Sequence, residues 1–244
     1  MNNTVIDAHN ISRVYNPTTI PVYAINNVHL HLERGEFVAL VGPSGSGKTT
    51  LLNLIGGLDR PDTGSIYING IDITQLREGR LINFRLFNIG FVFQAFNLIP
   101  VLTARENVEF IMQLQKTKRK IREARALQLF GQIDMEDKMN SRPAALSGGQ
   151  QQRVAVARAL ASKPQFVLAD EPTANLDSKA AGNLLDIMAR LNKEENMTFI
   201  FSTHDQRVIE RARRVITLVD GRITADSGAP LLSNEEHKPG VIRT

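Results

Sequence analysis

Residues 42–49, GPSGSGKT, combine three glycines with a lysine and a threonine directly after an apolar run. Such glycines allow backbone amides to curl around an anion, and the start of a following helix adds partial positive charge. The context fits, because FVALV at 37–41 predicts a buried strand and the leucines after the loop have helical spacing. A flexible Gly-Ser linker would not lie between two such elements. The stretch predicts a phosphate-binding loop in which Lys48 reaches the β- and γ-phosphates and Thr49 holds Mg²⁺.

Two carboxylates end a second apolar run, FVLADE at 166–171. Neighbouring side chains at a strand end point in different directions, so the two acids can do different work. We expect Asp170 to face Mg²⁺, directly or through water, and Glu171 to face an attacking water. Acids after strands also form turns, so the prediction depends on the phosphate loop being present. A base at Glu171 indicates hydrolysis, whereas a kinase would need a second substrate pocket.

Three further side chains have weaker signals. Gln94 follows NIGFVF and could bridge Mg²⁺ or the attacking water to whatever its own loop contacts, although a capping amide explains it equally well. His204 follows TFIFST, where an imidazole could hydrogen-bond a γ-phosphate. Tyr15 could stack on adenine, but an aromatic residue at a strand end more often packs. The residues alone leave these alternatives open.

A polar run, AALSGGQQQRVAVARAL at 144–160, opens a predicted helix without any Asp, Glu, His or Cys. A helix start there offers a hydroxyl and free backbone amides, which are groups that bind an anion. The apolar spacing predicts that Val154, Ala157 and Leu160 turn inward and that Arg153 faces outward.

The elements that position these residues are strands alternating with helices. The sequence predicts buried strands at 37–41, 88–93, 165–169 and 198–203, a helix after the phosphate loop, and a hairpin closed by Asp220-Gly221. The predicted class is α/β, a P-loop NTPase core with a mainly parallel sheet and its ligands at the carboxyl ends of the strands. An alternating N-terminal segment predicts an antiparallel β subdomain.

The middle of the chain, about 72–144, is rich in charge and helix formers and predicts a helical subdomain. Thr103 and Glu106 form a capping-box pattern at one of its helices. The uncharged stretch 86–104 is long enough to approach a membrane span, but its amides and Pro100 predict a strand followed by an apolar loop instead. The basic run at 116–120 lacks interleaved aromatic residues and predicts a solvated helix end.

The amino-acid composition excludes some classes of protein but does not identify one. The chain has 244 residues, is 42% hydrophobic, and reads as one large domain or two closely joined lobes. A net charge of +4 suits nucleic acid, anionic lipid or phosphate ligands alike. The absence of cysteine excludes a disulfide scaffold and a cysteine metal site, and fits a reducing compartment. We predict no secretion signal at the start of the sequence.

Taken together, GPSGSGKT, Gln94, LSGGQ, VLADEP, ANLD and His204 resemble the ATP-binding cassette, the nucleotide-binding subunit of ABC transporters, in order and spacing. The resemblance covers about 4–225. It implies a cassette domain at 4–228, with the helical subdomain at about 95–160 inserted in the α/β core, and a flexible tail at 229–244. The sequences of these motifs are most similar to those of the lipoprotein-release and macrolide-export group. Cell-division and peptide-resistance cassettes share much of the same motif sequence.

The resemblance implies ATP and Mg²⁺ as ligands and assigns a role to each matching position. Glu171, His204 and Gln94 would be catalytic, and Thr49, Gln94 and Asp170 would hold the metal. Thr49 stands where serine is common, and ANLD where SALD is common, and neither change affects the prediction. The implied nucleotide contacts are Tyr15, Gly42, Pro43, Ser44, Gly45, Ser46, Gly47, Lys48, Thr49, Thr50, Ser147, Gly148, Gly149, Gln150 and Asp177.

The resemblance also implies partners. Two cassettes meet head to tail, so that Ser147, Gly148 and Gly149 of one cap the γ-phosphate held by the other. An integral membrane permease would dock near Phe96–Pro100, which places the protein peripherally at the cytoplasmic face of the inner membrane. No direct nucleic-acid contact is expected. Two alternatives remain: a cassette that regulates a membrane complex without transport, as in cell division, and, ranked lower, a soluble cassette that acts on nucleic acid.

Overall fold

The computed structural model describes residues 3–16, 18 and 20–228. The strands are β1 (Thr4–Tyr15), β2 (Val22–Glu33), β3 (Phe37–Val41), β4 (Thr63–Ile68), β5 (Ile71–Asp72), β6 (Ile89–Val92), β7 (Phe166–Asp170), β8 (Thr198–Ser202), β9 (Arg214–Val219) and β10 (Arg222–Asp226). The α-helices are α1 (Lys48–Ile55), α2 (Glu78–Asn88), α3 (Ala104–Leu114), α4 (Arg119–Gln132), α5 (Gly148–Ala161), α6 (Ser178–Glu195) and α7 (Gln206–Arg211).

The larger sheet is mainly parallel, as predicted. Its order is β10-β9-β3-β8-β7-β6, and within it only the terminal pair of β9 and β10 is antiparallel. Strands β3, β7 and β8 are buried on both faces, which explains their almost continuous apolar sequences. Because the strands are parallel, the residues that follow β3, β6, β7 and β8 meet at one edge. That edge carries the candidate site.

Side chains of the parallel strands alternate between two cores. Val38 and Leu40 of β3 point into a core shared with α1 and the antiparallel sheet β2-β1-β4-β5. Phe37 of the same strand points into a second core, which is built from α3, α4, α5 and α6. The ring of Phe37 lies 4.6 Å from that of Phe201 on β8. Covering both faces with helices and a second sheet is what allows β3 to be fully apolar.

The central segment contains three packed helices and one strand. Helix α3 begins with the predicted capping box, in which Thr103 and Glu106 satisfy each other's backbone amides. The strand predicted at 88–93 is shorter than expected, because Asn88 ends α2 and donates its side-chain amide to the carbonyl of Phe84. The predicted hairpin at Asp220-Gly221 is confirmed by β9 and β10. The predicted tail at 229–244 lies outside the described residues.

The expectation that Arg153 of α5 faces outward is met only in part. Its guanidinium is partly buried and donates to the carbonyl of Ile133, 3.2 Å away, while Val154, Ala157 and Leu160 are buried as predicted. The long apolar stem of arginine allows a helix to cover part of this position while the head group bonds a carbonyl. None of the helices in the described ranges is both long and apolar enough to cross a bilayer.

Candidate nucleotide-binding and hydrolysis site

The phosphate loop connects β3 to α1 in a conformation that only glycine fits. At Gly47, φ is 102°, and a Cβ would lie 2.1 Å from the carbonyl oxygen of Ala24. At Gly42, φ is 153°, and a Cβ would lie 2.0 Å from the carbonyl oxygen of Leu218. Both distances are far below van der Waals contact, so β2 and β9 enclose the loop from two sides.

The inside of the phosphate loop presents groups that can bind an anion. Lys48 Nζ donates to the carbonyls of Gly42 and Pro43, each 2.9 Å away, so the ammonium group folds back over the loop. Ser46 is 2% exposed, and its hydroxyl is buried without a partner in the described part of the chain. A Cβ at Gly45 would meet open space. A buried free hydroxyl, an ammonium group and the start of α1 fit a phosphate chain.

The metal position predicted from the sequence has matching geometry. Thr49 Oγ1 lies 3.1 Å from each carboxylate oxygen of Asp170, so the hydroxyl at the start of α1 meets the carboxylate at the end of β7. Among the residues that the structure describes, no group of three or more His, Asp or Glu side chains could hold a metal by itself. Mg²⁺ bound to a nucleotide does not require one, because phosphates and water complete its octahedron. The donor set therefore fits Mg²⁺.

Glu171 and Asp170 have different partners, as their positions at a strand end predict. Glu171 adopts φ 46°, a left-handed conformation that is uncommon outside glycine and turns the chain away from β7. Its Oε1 lies 2.8 Å from Nδ1 of His204, and its side chain is 18% exposed against 76% for the histidine. A carboxylate turned toward an imidazole at the open edge can accept a proton from water.

A partly buried hydrogen bond that the sequence does not predict supports this pair. Thr173 is buried, and its hydroxyl donates to Asp205 Oδ2, 2.7 Å away, which joins the segments that follow Glu171 and His204. Hydrogen bonds from Arg207, helped by the Thr173 hydroxyl, lower the pKa of Asp205 to about 2. Asp205 also caps α7, and an Asp directly before a helix was the available sequence signal.

The signature segment forms a separate group. Ser147 caps α5 in a capping box with Gln150, with bonds of 3.3 and 2.9 Å, and Asp177 caps α6. A Cβ at Gly149 would lie 2.9 Å from that of Ala180, so α5 begins against α6. Across the described residues, no hydrogen bond joins 147–150 to 42–50. The structure brings Lys48, Thr49, Thr50, Asp170, Glu171 and His204 to one sheet edge and does not bring the signature to them.

The contacts of Tyr15 and Gln94 do not test the roles predicted for them. The Tyr15 hydroxyl donates to Asp59 Oδ2, 3.0 Å away, the Arg13 guanidinium lies 5.0 Å from its ring centroid, and the ring is 38% exposed. Its predicted stacking on adenine stays a prediction. Gln94 follows β6 and is exposed, and its backbone carbonyl accepts a hydrogen bond from Asn175 Nδ2 at 3.0 Å.

The apolar loop after Gln94, near which a permease is predicted to dock, is only partly exposed. Phe96, Leu98 and Ile99 are partly buried, and Leu98 packs against the helical core. The fully buried Asn107 holds the loop, because its side chain bonds both the amide and the carbonyl of Ile99. Val101, which directly follows this loop, is 72% exposed. The predicted docking segment is therefore partly core.

Comparison with known proteins supports this site. The sequence model of the family described as ABC transporter matches residues 25–174. The chain is 45% identical over 218 residues to a lipoprotein-releasing system ATP-binding protein, LolD 1, of Chlorobium chlorochromatii, with 88% of this chain and 86% of that protein covered. It is 44% identical over 223 residues to the uncharacterized ABC transporter ATP-binding protein MJ0796 of Methanocaldococcus jannaschii, with 90% and 95% covered.

The fold comparison agrees. A solved dimeric structure of the cassette MJ0796, in a post-hydrolysis state bound to ADP and Pi, matches with a TM-score of 0.83 and 43% identity over 91% of this chain and 97% of that one. A cassette of Clostridium perfringens, CbiO1, which is part of a transporter complex, also gives 0.83, at 26% identity over 92% and 88% of the two chains. The chain therefore belongs to the ABC transporter family, as an ATP-binding cassette with the ATPase activity of that family.

Proposed function

We propose that this cassette powers a membrane transporter by ATP-driven head-to-tail dimerisation, in which the signature of one copy completes the ATP site of the other. The observation that carries the proposal is the separation of the two halves within one chain. Lys48, Thr49 and Glu171 share one sheet edge, whereas Ser147 opens α5 against α6 and is exposed. The dimeric form of the 43% identical cassette supports it. A γ-phosphate bound between two helix starts would hold two subunits together.

Each residue at the edge then has a task. Lys48 would exchange its two carbonyl partners for the β- and γ-phosphates, and the free hydroxyl of Ser46 would add a further donor. Thr49 and Asp170 would hold Mg²⁺, which supplies positive charge beside the phosphates when bound. Glu171 would accept the proton of the attacking water while His204 fixes its carboxylate. Loss of the terminal phosphate would remove the bridge between the subunits.

For the cargo, we favour lipoprotein release, with macrolide or peptide export as related possibilities. The identity of 45% to a lipoprotein-releasing ATP-binding protein supports this group. A cassette that regulates a membrane complex without transport is the second candidate, because the site would be the same. The permease would dock at the edge of the loop after Gln94, where Pro100 and Val101 are exposed, and would hold the cassette at the cytoplasmic face of the inner membrane.

The dimer is tested by changing Ser147 without losing its helix cap. In Ser147→Asp, the carboxylate still caps α5, but its negative charge opposes a phosphate. We expect normal folding, normal ATP binding by the monomer and loss of ATP-driven dimerisation, measured by light scattering in a Glu171→Gln background. Ser147→Thr keeps both the cap and the neutral hydroxyl and serves as the matched control. ATP-driven dimers of Ser147→Asp with unchanged affinity would disprove the proposal.

A further inference from the structure

The backbone that carries Gln94 is held almost entirely by side chains from elsewhere. Residues 93–97 follow β6 and belong to neither a strand nor a helix. The carbonyl of Phe93 accepts from Gln152 Nε2 at 3.2 Å, and that of Gln94 accepts from Asn175 Nδ2 at 3.0 Å. The carbonyls of Phe96 and Asn97 both accept from the Arg158 guanidinium, the first at 3.0 Å. Four carbonyls in a five-residue segment are thus satisfied by three donors, which we name the latch residues: Gln152, Arg158 and Asn175.

Two of the three latch residues lie on α5, the helix that Ser147 opens. Gln152 is fully buried and lies one turn into the helix, and Arg158 lies near its end. A third contact lies at the helix start, where a Cβ on Gly148 would be 3.5 Å from Cζ of Phe96. The segment is therefore attached to α5 at its beginning, its first turn and its last turns. A helix is stiff over this length, so the segment and the signature form one body.

Arginine is the side chain that this geometry requires at 158. Asn97 adopts φ 50°, which turns the chain sharply next to the two carbonyls that share the guanidinium. In the described part of the chain, no carboxylate pairs with Arg158, and burial lowers the pKa of its guanidinium. A partly buried cation that depends on two carbonyl dipoles loses part of its compensation if the segment moves away from α5. The two carbonyls are reached by two different terminal nitrogens of the guanidinium, and lysine lacks this planar fork, so its single nitrogen would not reproduce both bonds in the same geometry.

We propose that Arg158, together with Gln152 and Asn175, is a positioning residue that couples Gln94 to the signature, so that the two move as a unit during closure of the dimer. The inference rests on the proposed function, in which Ser147 meets the γ-phosphate of a second copy. Arg158 touches neither nucleotide nor water in this account. It acts by fixing the distance between Gln94 and Ser147, so that a displacement of either residue also displaces the other.

The test compares Arg158→Met and Arg158→Lys with Arg153→Met in the full-length protein. Arg153 lies on the same helix, is also partly buried and also donates to a carbonyl, that of Ile133, and so controls for the loss of an arginine of this kind. For Arg158→Met we expect a fall in kcat of about ten- to hundredfold with KM and monomer ATP affinity unchanged, since a misplaced segment impairs the closed site only. The kcat of Arg158→Lys should lie between those of Arg158→Met and the wild type, and Arg153→Met should keep the wild-type kcat.

Two results would overturn the coupling role. One is a folded Arg158→Met protein with wild-type kcat. The other is a parallel loss of ATP affinity and kcat in Arg158→Met and Arg158→Lys, which would make the residue merely structural. Ser147→Asp, measured alongside, separates this inference from the proposed function. If Ser147→Asp still dimerises, the proposed function fails. If Ser147→Asp is blocked and Arg158→Met is normal, only the coupling fails.

Discussion

Two glycine-to-alanine substitutions in the phosphate loop, with a third in α6 as a control, test the conformation of the loop. In Gly47→Ala, the new Cβ would lie 2.1 Å from the Ala24 carbonyl oxygen at φ 102°. Left-handed strain of about 1–2 kcal/mol and overpacking of about 1–3 kcal/mol give a loss of about 2–5 kcal/mol. For a chain of this size, that lowers Tm by about 4–20 °C. Calorimetry without nucleotide measures the change directly.

Two matched substitutions isolate the steric part. Gly45 shares a positive φ, 77°, but a Cβ there meets nothing within 4 Å, so Gly45→Ala should cost only about 1 kcal/mol. Gly182 lies in α6 with open space around it, and Gly182→Ala should stabilise the protein by about 0.5–1 kcal/mol. If Gly47→Ala and Gly45→Ala lowered Tm equally, the enclosure of the loop by β2 would be refuted.

Two further predictions concern Glu171 and Asp205, which lie at the sheet edge that carries the candidate site. Glu171→Gln keeps the shape of the side chain and removes the base, so ATP should still bind while turnover in a phosphate-release assay falls about 10²–10⁴-fold; unchanged turnover would remove Glu171 from this role. Asp205 has a folded pKa of about 2 against 3.8 in the reference state, so the stabilisation it adds is complete above pH 4 and is lost as pH falls toward 2. This loss should be about 1–2 kcal/mol in denaturant titrations and absent in Asp205→Asn, and an equal acid sensitivity of both proteins would contradict it.

The sequence predicted the parts of the site that are local in the chain. The phosphate loop could be identified because its glycines, Lys48 and Thr49 are contiguous and follow a short apolar strand. The carboxyl ends of parallel strands share an edge, which predicted that Asp170 and His204 would approach the loop. The capping boxes at Thr103 and Ser147 depend on a spacing of three residues, which predicts the first of them from the sequence alone.

The contacts that sequence reasoning missed join distant residues through ordinary side chains. Arg158 meets the carbonyl of Asn97 across 61 residues, and Tyr15 meets Asp59 across 44. No periodicity or motif encodes such pairs, since any arginine on an amphipathic helix resembles a solvated one. The sequence does not reveal the carbonyl partner of Arg153 for this reason. The apolar loop after Gln94 is predicted only as a docking segment, because hydrophobicity does not reveal that Asn107 holds it inward.

The most direct test of the shared site mixes two inactive proteins. Lys48→Ala disables the phosphate loop but leaves a normal signature, and Ser147→Asp does the reverse. In a head-to-tail dimer of the two, one site combines the intact loop of one copy with the intact signature of the other. An equal mixture should recover up to about a quarter of wild-type ATPase activity, since half the dimers are mixed and each has one working site. Activity in the mixture no higher than that of either protein alone would contradict the account.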